Sequence, residues 1–150
     1  VTGSSRYPGA AVLGVEAALR TGVGMVRYLG PARAADLVLQ RRPEAVTAEG
    51  GVQAWVLGSG MDAGAAAVER GAGDEAAAES AERMRAALAS GHPLVIDAGA
   101  LDAVGSARGP AIITPHAREL ARVAGADLAA VLADPAAAAR AAADRLGVTV

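Results

Sequence analysis

The sequence predicts an α/β fold in which a mostly parallel central sheet lies between two layers of helices. Short apolar segments alternate with segments of helical spacing along the 150 residues, as in parallel sheets connected by helices. Hydrophobic residues make up 53% of the chain and charged residues 20%, which is typical of a globular protein. Because this length suits one core, we expect a single domain over residues 1–150.

Apolar spacing and helix-breaking residues predict the helices. The apolar residues Val12, Leu13, Val15 and Leu19 recur at a helical spacing. Pro31 fits the first turn of a second helix, and Pro135 marks a boundary within the last helical region. The predicted helices are 9–20, 31–40, an alanine-rich run that follows the glycines at 58–60 and breaks near 71–73, 74–90, and 117–146, the last of them divided at Pro135.

Short apolar runs bounded by turn residues predict the strands. The predicted strands are 23–29, 52–57, 94–96 and 111–113, with a short extended piece at 44–47. Val1 resembles the tail of a further strand, and 148–150 resembles the beginning of another. We therefore expect the chain to be a piece of a longer protein.

The composition argues against several classes of partner. One Trp, two Tyr and no Phe give few rings on which bases could stack, and a net charge of −2 does not favour polyanions. No apolar run reaches the roughly 18–20 residues of a membrane span. The absence of cysteine excludes a thiolate zinc site and a disulfide scaffold. We expect a cytoplasmic protein that binds neither nucleic acid nor a membrane.

Small and polar residues follow the predicted strands at four places. They are Gly3-Ser4, Gly58-Ser59-Gly60, Asp97 and Thr114-Pro115-His116. Ligands of parallel α/β sheets gather at the carboxyl ends of the strands. The sequence therefore predicts a ligand site at this edge of the sheet.

The glycine motif by itself does not identify the ligand. Residues 58–63 fit the G-x-G-x-x-A pattern that seats a pyrophosphate at a helix start. The full dinucleotide fingerprint requires an acidic residue about 20 positions later. The next strand ends at Asp97, almost twice as far along, so a Rossmann domain is disfavoured.

The polar motifs also leave alternatives open. Asp97 could hold a ligand hydroxyl, could hold a metal through water, or could cap the next segment. His116 and Glu119 lie three positions apart on one helix face, where they could approach a phosphate and its Mg²⁺. An ordinary capped helix is the equal alternative for this pair. The loop over residues 3–11 fits either a backbone anion site or an ordinary turn.

Taken in order, the motifs resemble the ADP/ATP-dependent NAD(P)H-hydrate dehydratases, a family of ribokinase-like α/β/α proteins. The motifs that carry the resemblance are Gly3-Ser4, Tyr7-Pro8-Gly9-Ala10-Ala11, Arg42-Pro43-Glu44-Ala45, Gly58-Ser59-Gly60, Asp97-Ala98-Gly99-Ala100-Leu101 and Thr114-Pro115-His116-Ala117-Arg118-Glu119. The resemblance implies that ADP or ATP phosphorylates the hydroxyl of the S epimer of hydrated NADH or NADPH. Loss of phosphate then restores the reduced nicotinamide, with Mg²⁺ neutralising charge.

The resemblance also implies roles for individual residues. Ala10, Gly60 and His116 match the positions that contact the hydrated dinucleotide. Further positions that the resemblance assigns to the site are Gly9, Gly58, Asp97 and Glu119, the last with an indirect link to Mg²⁺.

Two positions depart from the family pattern. Ser59 stands where the glycine loop usually has proline, and Arg118 stands where a glycine often precedes the glutamate. The catalytic aspartate of the family belongs to a Gly-Thr-Gly-Asp loop, which we expect beyond Val150. No residue within 1–150 is therefore expected to be the catalytic base, and we expect little activity from this stretch alone.

A Gly-x-Gly-Asp pattern does occur at 71–74. It lies between two alanine-rich helical runs and in the wrong order relative to the other motifs, so we interpret it as a helix–helix linker.

Two alternatives remain to the dehydratase interpretation. One is a related small-molecule kinase of the same fold, whose product keeps the phosphate. The other is a non-catalytic fragment that binds dinucleotide. The resemblance further implies a homo-oligomer, and it leaves open a fusion to, or pairing with, an NAD(P)H-hydrate epimerase and the choice between ATP and ADP.

Overall fold

A computed structural model of the chain describes residues 1–61 and 75–150. In this part a 3-10 helix, Ala98–Ser106, follows the second strand. The α-helices are α1 (Pro8–Arg20), α2 (Ala32–Arg41), α3 (Glu75–Ala89), α4 (Ala117–Ala124), α5 (Leu128–Ala133) and α6 (Pro135–Leu146). The strands are β1 (Trp55–Leu57), β2 (Leu94–Ile96) and β3 (Ala111–Ile113).

The three strands form a parallel sheet in the order β1-β2-β3, with Leu57, Ile96 and Ile113 side by side. Backbone hydrogen bonds extend the sheet at both edges. The amide of Gly58 donates to the carbonyl oxygen of Val1 at 3.1 Å, and the amide of Ile113 donates to that of Thr149 at 2.8 Å. The predicted parallel sheet is therefore confirmed, including the short extended pieces at either end of the chain.

Helices lie on both faces of this sheet. Leu57, Ile96 and Ile113 face one side, where they pack with Leu88 of α3 and with Leu101 of the 3-10 helix. Val1 belongs to the same cluster. Thr2 points to the opposite face and packs against α1, where a Cβ added to Gly14 would lie 3.4 Å from Thr2 Oγ1.

Coverage of that second face is partial. Helices α1 and α2 enclose a separate small core that includes Tyr28 and Val38. On this face Val56 of β1 is 41% exposed and Ile112 of β3 is 48% exposed. The described residues thus form a layered α/β fold in which part of one sheet face stays exposed.

Two sequence predictions about strands need correction, and one element was not predicted. Residues 23–29 do not form a strand but make one parallel bridge, between Arg27 and Val46. Val23 and Met25 are exposed, so the segment lacks the buried face that a strand of a sheet has. Strand β1 begins at Trp55 and not at 52, since 53 and 54 are exposed. The 3-10 helix after β2 was not predicted.

The last helical region is divided in three, and only the later division was predicted. Pro135 opens α6, as expected, with Asp134 as its N-cap. Helix α4 ends earlier at Gly125, which adopts the left-handed conformation (φ 55°) that ends many helices. Asp127 then caps α5 by accepting a hydrogen bond from the amide of Ala129.

The segment 62–74 lies outside the described residues, and with it the end of the G-x-G-x-x-A pattern and the Gly-x-Gly-Asp sequence at 71–74. Among the helices of the described part, none combines the length and the apolar character that crossing a membrane requires.

Candidate functional site

The loop after β1 lies directly against the start of α1. Gly60 has a left-handed backbone (φ +68°), and a Cβ at this position would lie 2.3 Å from the Cβ of Ala10 and 3.2 Å from the carbonyl oxygen of Tyr7. The amide of Gly3 donates to the carbonyl oxygen of Ser59 at 2.7 Å, which joins the first loop to this one. Only glycine fits position 60, because its φ and its surroundings both exclude a side chain.

Gly58 brings the same loop against the end of β2. Its φ is +105°, and a Cβ there would lie 1.8 Å from the carbonyl oxygen of Asp97 and 2.7 Å from the Cβ of Ala100. The amide of Asp97 donates to the carbonyl oxygen of Leu57 at 2.9 Å, which continues the parallel ladder. The two neighbouring strands thus deliver the glycine loop and Asp97 to one edge of the sheet.

Asp97 accepts a hydrogen bond at each of its carboxylate oxygens. Ser59 Oγ donates to Oδ2 at 2.7 Å, and Thr114 Oγ1 donates to Oδ1 at 2.8 Å. Asp97 occupies the N-cap position of the 3-10 helix, but its side chain makes no capping hydrogen bond. Because these three residues follow β1, β2 and β3, the two bonds connect the ends of three adjacent strands.

Ala98, directly after Asp97, is the one non-glycine residue of the described part with a positive φ, at 44°. This conformation costs roughly 1–2 kcal/mol for an L-residue with a Cβ. Such a conformation persists where the surrounding contacts fix it. The backbone turn after β2 is therefore held by its contacts with Gly58 and by the two bonds to the Asp97 carboxylate.

His116 and Glu119 form a capping box at the start of α4. The His116 Nδ1 accepts from the amide of Glu119 at 3.3 Å, and Glu119 Oε2 accepts from the amide of His116 at 2.9 Å. A neutral imidazole that accepts at Nδ1 carries its hydrogen on Nε2. The His116 side chain is 66% exposed, and its Nε2 lies 3.5 Å from Glu119 Oε1, so the Nε2–H lies between this carboxylate and solvent.

The structure connects most of the predicted site residues. Ala10, Gly58 and Gly60 are in direct contact or adjacent in one loop, and Asp97 is bonded to that loop through Ser59. The helix start with His116 and Glu119 follows Thr114 by two residues. Gly9 differs from the others, because a Cβ there would meet no neighbouring atom within 4 Å.

Sequence reasoning missed the carboxylate that holds Arg42, a residue of the Arg-Pro-Glu-Ala motif. Glu16 of α1 accepts from Arg42 Nε at 2.5 Å and from Nη2 at 2.6 Å, with Arg20 also within 2.8 Å. The hydrogen bond from Arg42 is the main cause that lowers the pKa of Glu16 from 4.5 to about 2. This motif therefore ties α1 to the end of α2, and an acidic residue on the inner face of α1 was the available signal.

Comparison with known sequences identifies the family. The sequence pattern of the NAD(P)H-hydrate dehydratases, also described as Carb_kinase, matches residues 1–150. The chain belongs to the NAD(P)H-hydrate dehydratase family.

Curated relatives carry related names. The chain is 40% identical over 162 residues to a bifunctional NAD(P)H-hydrate repair enzyme of Mycobacterium tuberculosis, covering all of this chain and 30% of that protein. It is 38% identical over 146 residues to an ADP-dependent (S)-NAD(P)H-hydrate dehydratase of Xanthomonas campestris, covering 91% of this chain and 50% of that protein. This member of the dehydratase family thus spans half or less of these two relatives.

Solved structures confirm the predicted fold class. The ADP/ATP-dependent NAD(P)H-hydrate dehydratase from Bacillus subtilis, co-crystallised with ATP/Mg²⁺, superposes with a TM-score of 0.72 at 23% identity. The superposition covers 99% of this chain and 54% of the Bacillus one. At this identity the likeness establishes the fold of this chain and not its contacts.

The carboxylates of the candidate site already accept hydrogen bonds from the protein. Both Asp97 oxygens accept hydroxyl hydrogen bonds, and Glu119 is occupied by the capping box. Within residues 1–61 and 75–150 no group of three His, Cys, Asp or Glu side chains could hold a metal ion. Because Mg²⁺ is often held by one or two carboxylates together with water and substrate phosphates, the indirect link of Glu119 to Mg²⁺ stays a prediction.

Proposed function

We propose that this chain forms the part of an NAD(P)H-hydrate dehydratase that binds the hydrated dinucleotide. The observation that carries the proposal is the contact of Gly60 with Ala10, at the strand ends where the sheet of such a protein binds its ligand. The family match over residues 1–150 supports it, because the resemblance assigns substrate contacts to Ala10, Gly60 and His116.

The start of α1 suits the phosphates of the dinucleotide. This helix has Pro8 in its first turn, no side-chain cap and no acidic residue in its first turn. Among the described residues, neither a capping side chain nor a first-turn carboxylate neutralises its positive end. The absence of side chains at Gly3 and Gly60 lets the two loops pack directly against this helix start, which places their backbone beside it.

The start of α4 suits a neutral hydroxyl or amide better than a second phosphate. The amides of His116 and Glu119 are already bonded within the capping box, and the Glu119 carboxylate offsets the helix dipole. The remaining donor is the Nε2–H of His116, whose one carboxylate neighbour among the described residues is Glu119 Oε1 at 3.5 Å, longer than a hydrogen bond of normal length. We infer that it donates to an oxygen at the hydrated nicotinamide end of the ligand.

The chemistry explains why a nucleotide is needed. Hydroxide is a poor leaving group and phosphate is a good one, so phosphorylating the hydrate hydroxyl makes the elimination feasible. The resemblance assigns the base and the oxyanion donors to a Gly-Thr-Gly-Asp loop in the part of the relatives that this chain does not match. The residues described here bind and orient the hydrate, and the proposal derives no phosphoryl-transfer step from them.

The wider context belongs to the same proposal. ADP or ATP with Mg²⁺ would be the co-substrate, since the Xanthomonas relative is named ADP-dependent and the Bacillus one was crystallised with ATP/Mg²⁺. Pairing with an NAD(P)H-hydrate epimerase is supported by the name bifunctional for the mycobacterial relative. A homo-oligomer and a cytoplasmic location stay predictions.

A calorimetric titration tests the proposal. The S epimer of hydrated NADH is titrated into the chain, with the R epimer and plain NADH as controls. We expect saturable binding that favours the S epimer. If the folded chain binds none of the three, the proposed function is wrong. If it instead binds a thiazole alcohol or a sugar, the small-molecule kinase alternative is correct.

A further inference from the structure

Three strand ends are joined through one carboxylate that the family resemblance leaves without a defined role. Asp97 is half-buried, and its two oxygens accept from Ser59 Oγ at 2.7 Å and from Thr114 Oγ1 at 2.8 Å. Hydrogen bonds to a charged acceptor are about twice as strong as neutral ones. The carboxylate therefore connects the glycine loop on one side with the approach to His116 on the other.

The two sides of this connection lead to different proposed ligand contacts. On the Ser59 side the next residue is Gly60, which touches Ala10. On the Thr114 side the helix cap at His116 begins two residues later. The Gly60–Ala10 contact and the cap at His116 are the proposed contacts for the two ends of a dinucleotide. The distance between them thus depends on the bonds that hold Ser59 and Thr114 together.

We propose that Asp97 is a positioning residue that fixes the glycine loop relative to the start of α4, with the Ser59 hydroxyl as part of the device. Asp97 acts through Ser59 and Thr114 and does not touch the ligand. Preorganised contacts of this kind raise affinity by reducing the ordering that binding requires.

Ser59 offers a specific way to test the idea. A proline at this position would restrain the loop without any hydrogen bond. The Ser59 amide donates no hydrogen bond within residues 1–61 and 75–150, and its φ is not positive, so a proline ring would break no described bond there. A proline ring and the hydroxyl bond to Asp97 are therefore two alternative ways to restrain the same loop.

The first experiment measures amide hydrogen exchange in the free protein and needs no ligand. The reporters are the amides of Gly3 and Met61, which donate to the loop carbonyls of Ser59 and Gly58, and the amide of Glu119. Ser59→Ala is expected to speed exchange at Gly3 and Met61, and Ser59→Pro to restore protection. Asp97→Asn is expected to speed exchange at all three reporters. Unchanged exchange in both Asp97→Asn and Ser59→Ala would overturn the proposal.

The second experiment measures affinity for the S epimer of hydrated NADH, a readout that rests on the proposed function. Ser59→Ala and Thr114→Val are each expected to bind about tenfold more weakly, the effect of one charged hydrogen bond. Ser59→Pro and Thr114→Ser are expected to bind like the wild type. A merely structural role predicts instead that affinity and unfolding temperature fall together in every variant.

Matched controls lie outside the strand ends. Ser90 Oγ and Thr21 Oγ1 each donate to a nearby backbone carbonyl at 2.7 Å, so Ser90→Ala and Thr21→Val remove comparable bonds. Neither is expected to change the affinity. If the wild type binds no hydrate but its exchange pattern follows the first experiment, the function fails while the positioning role stands. If it binds and Ser59→Ala binds equally well, the positioning role fails.

Discussion

Gly60 packs so closely against Ala10 that a Cβ added to Gly60 would lie 2.3 Å from the Cβ of Ala10. Two carbon atoms cannot approach this closely without a shift of the backbone. The contact joins the loop after β1 to the first turn of α1. Since Gly60 also has φ +68°, its replacement combines backbone strain with a steric clash.

Gly60→Ala is therefore expected to destabilise the protein by about 2–4 kcal/mol, from roughly 1–2 kcal/mol of left-handed strain plus overpacking against Ala10. Denaturant unfolding measures the change. Gly9→Ala is the matched control, because its Cβ would meet no neighbour within 4 Å and its position is helical. That control is expected to be neutral or up to about 1 kcal/mol more stable. Equal losses in both variants would contradict the account.

His116 is expected to have separable roles in stability and in binding. His116→Ala removes the cap of α4 and should cost about 1 kcal/mol, whereas His116→Asn keeps a side-chain acceptor and should keep the stability. Both variants lack the Nε2–H and should bind hydrated NADH at least about tenfold more weakly. The measurement pairs chemical denaturation with calorimetry. Full affinity in His116→Asn would show that the imidazole does not contact the ligand.

The ion pair of Glu16 predicts an acid-dependent loss of stability. The Arg42 hydrogen bond lowers the pKa of Glu16 from 4.5 to about 2, so the folded state favours the charged form. Its contribution is full above pH 4.5 and is lost as the pH falls towards 2. As the pH is lowered between these values, the unfolding temperature should fall less in Glu16→Gln than in the wild type. Glu82→Gln, an exposed position in α3, is the control and should follow the wild type.

Tyr28 predicts the opposite behaviour at high pH. Its buried hydroxyl donates to the carbonyl oxygen of Thr2 at 2.9 Å, and burial raises the pKa of Tyr28 from 10 to about 12. The unfolded chain loses this proton first, so stability should fall as the pH rises above 10. Tyr28→Phe should cost about 1–3 kcal/mol at neutral pH by leaving the Thr2 oxygen unpaired, and should lack the alkaline decline. Tyr7→Phe, in an exposed loop, should change neither the stability at neutral pH nor its decline at high pH.

The sequence was informative wherever a feature is local. The strands at 94–96 and 111–113 were predicted at their observed bounds, and α1 and α2 within one residue, because apolar runs and the flanking proline determine them. The prediction of a strand at 23–29 was wrong, because an apolar run does not show whether a neighbouring strand pairs with it. Gly125 ended a helix that was expected to continue, since a glycine between helical segments is ambiguous until its φ is known.

The site was predicted only as a set of strand ends. Residue order placed the glycine loop, Asp97 and His116 at one edge, because parallel strands direct their carboxyl ends together. The bonds from Ser59 and Thr114 to Asp97 could not be predicted, since they depend on side-chain directions across three strands. The same is true of Glu16 and Arg42, which are 26 residues apart in the chain.

The most direct test of the central claim is an NMR titration of the labelled chain with the S epimer of hydrated NADH. The account predicts saturable shifts of the amides of Gly3, Ala10, Gly60 and His116, at the carboxyl ends of the strands. It predicts none at Gly91 or Gly109, which lie in the loops preceding β2 and β3 at the opposite edge. Shifts confined to that opposite edge, or no saturable shift at all in a folded protein, would contradict it.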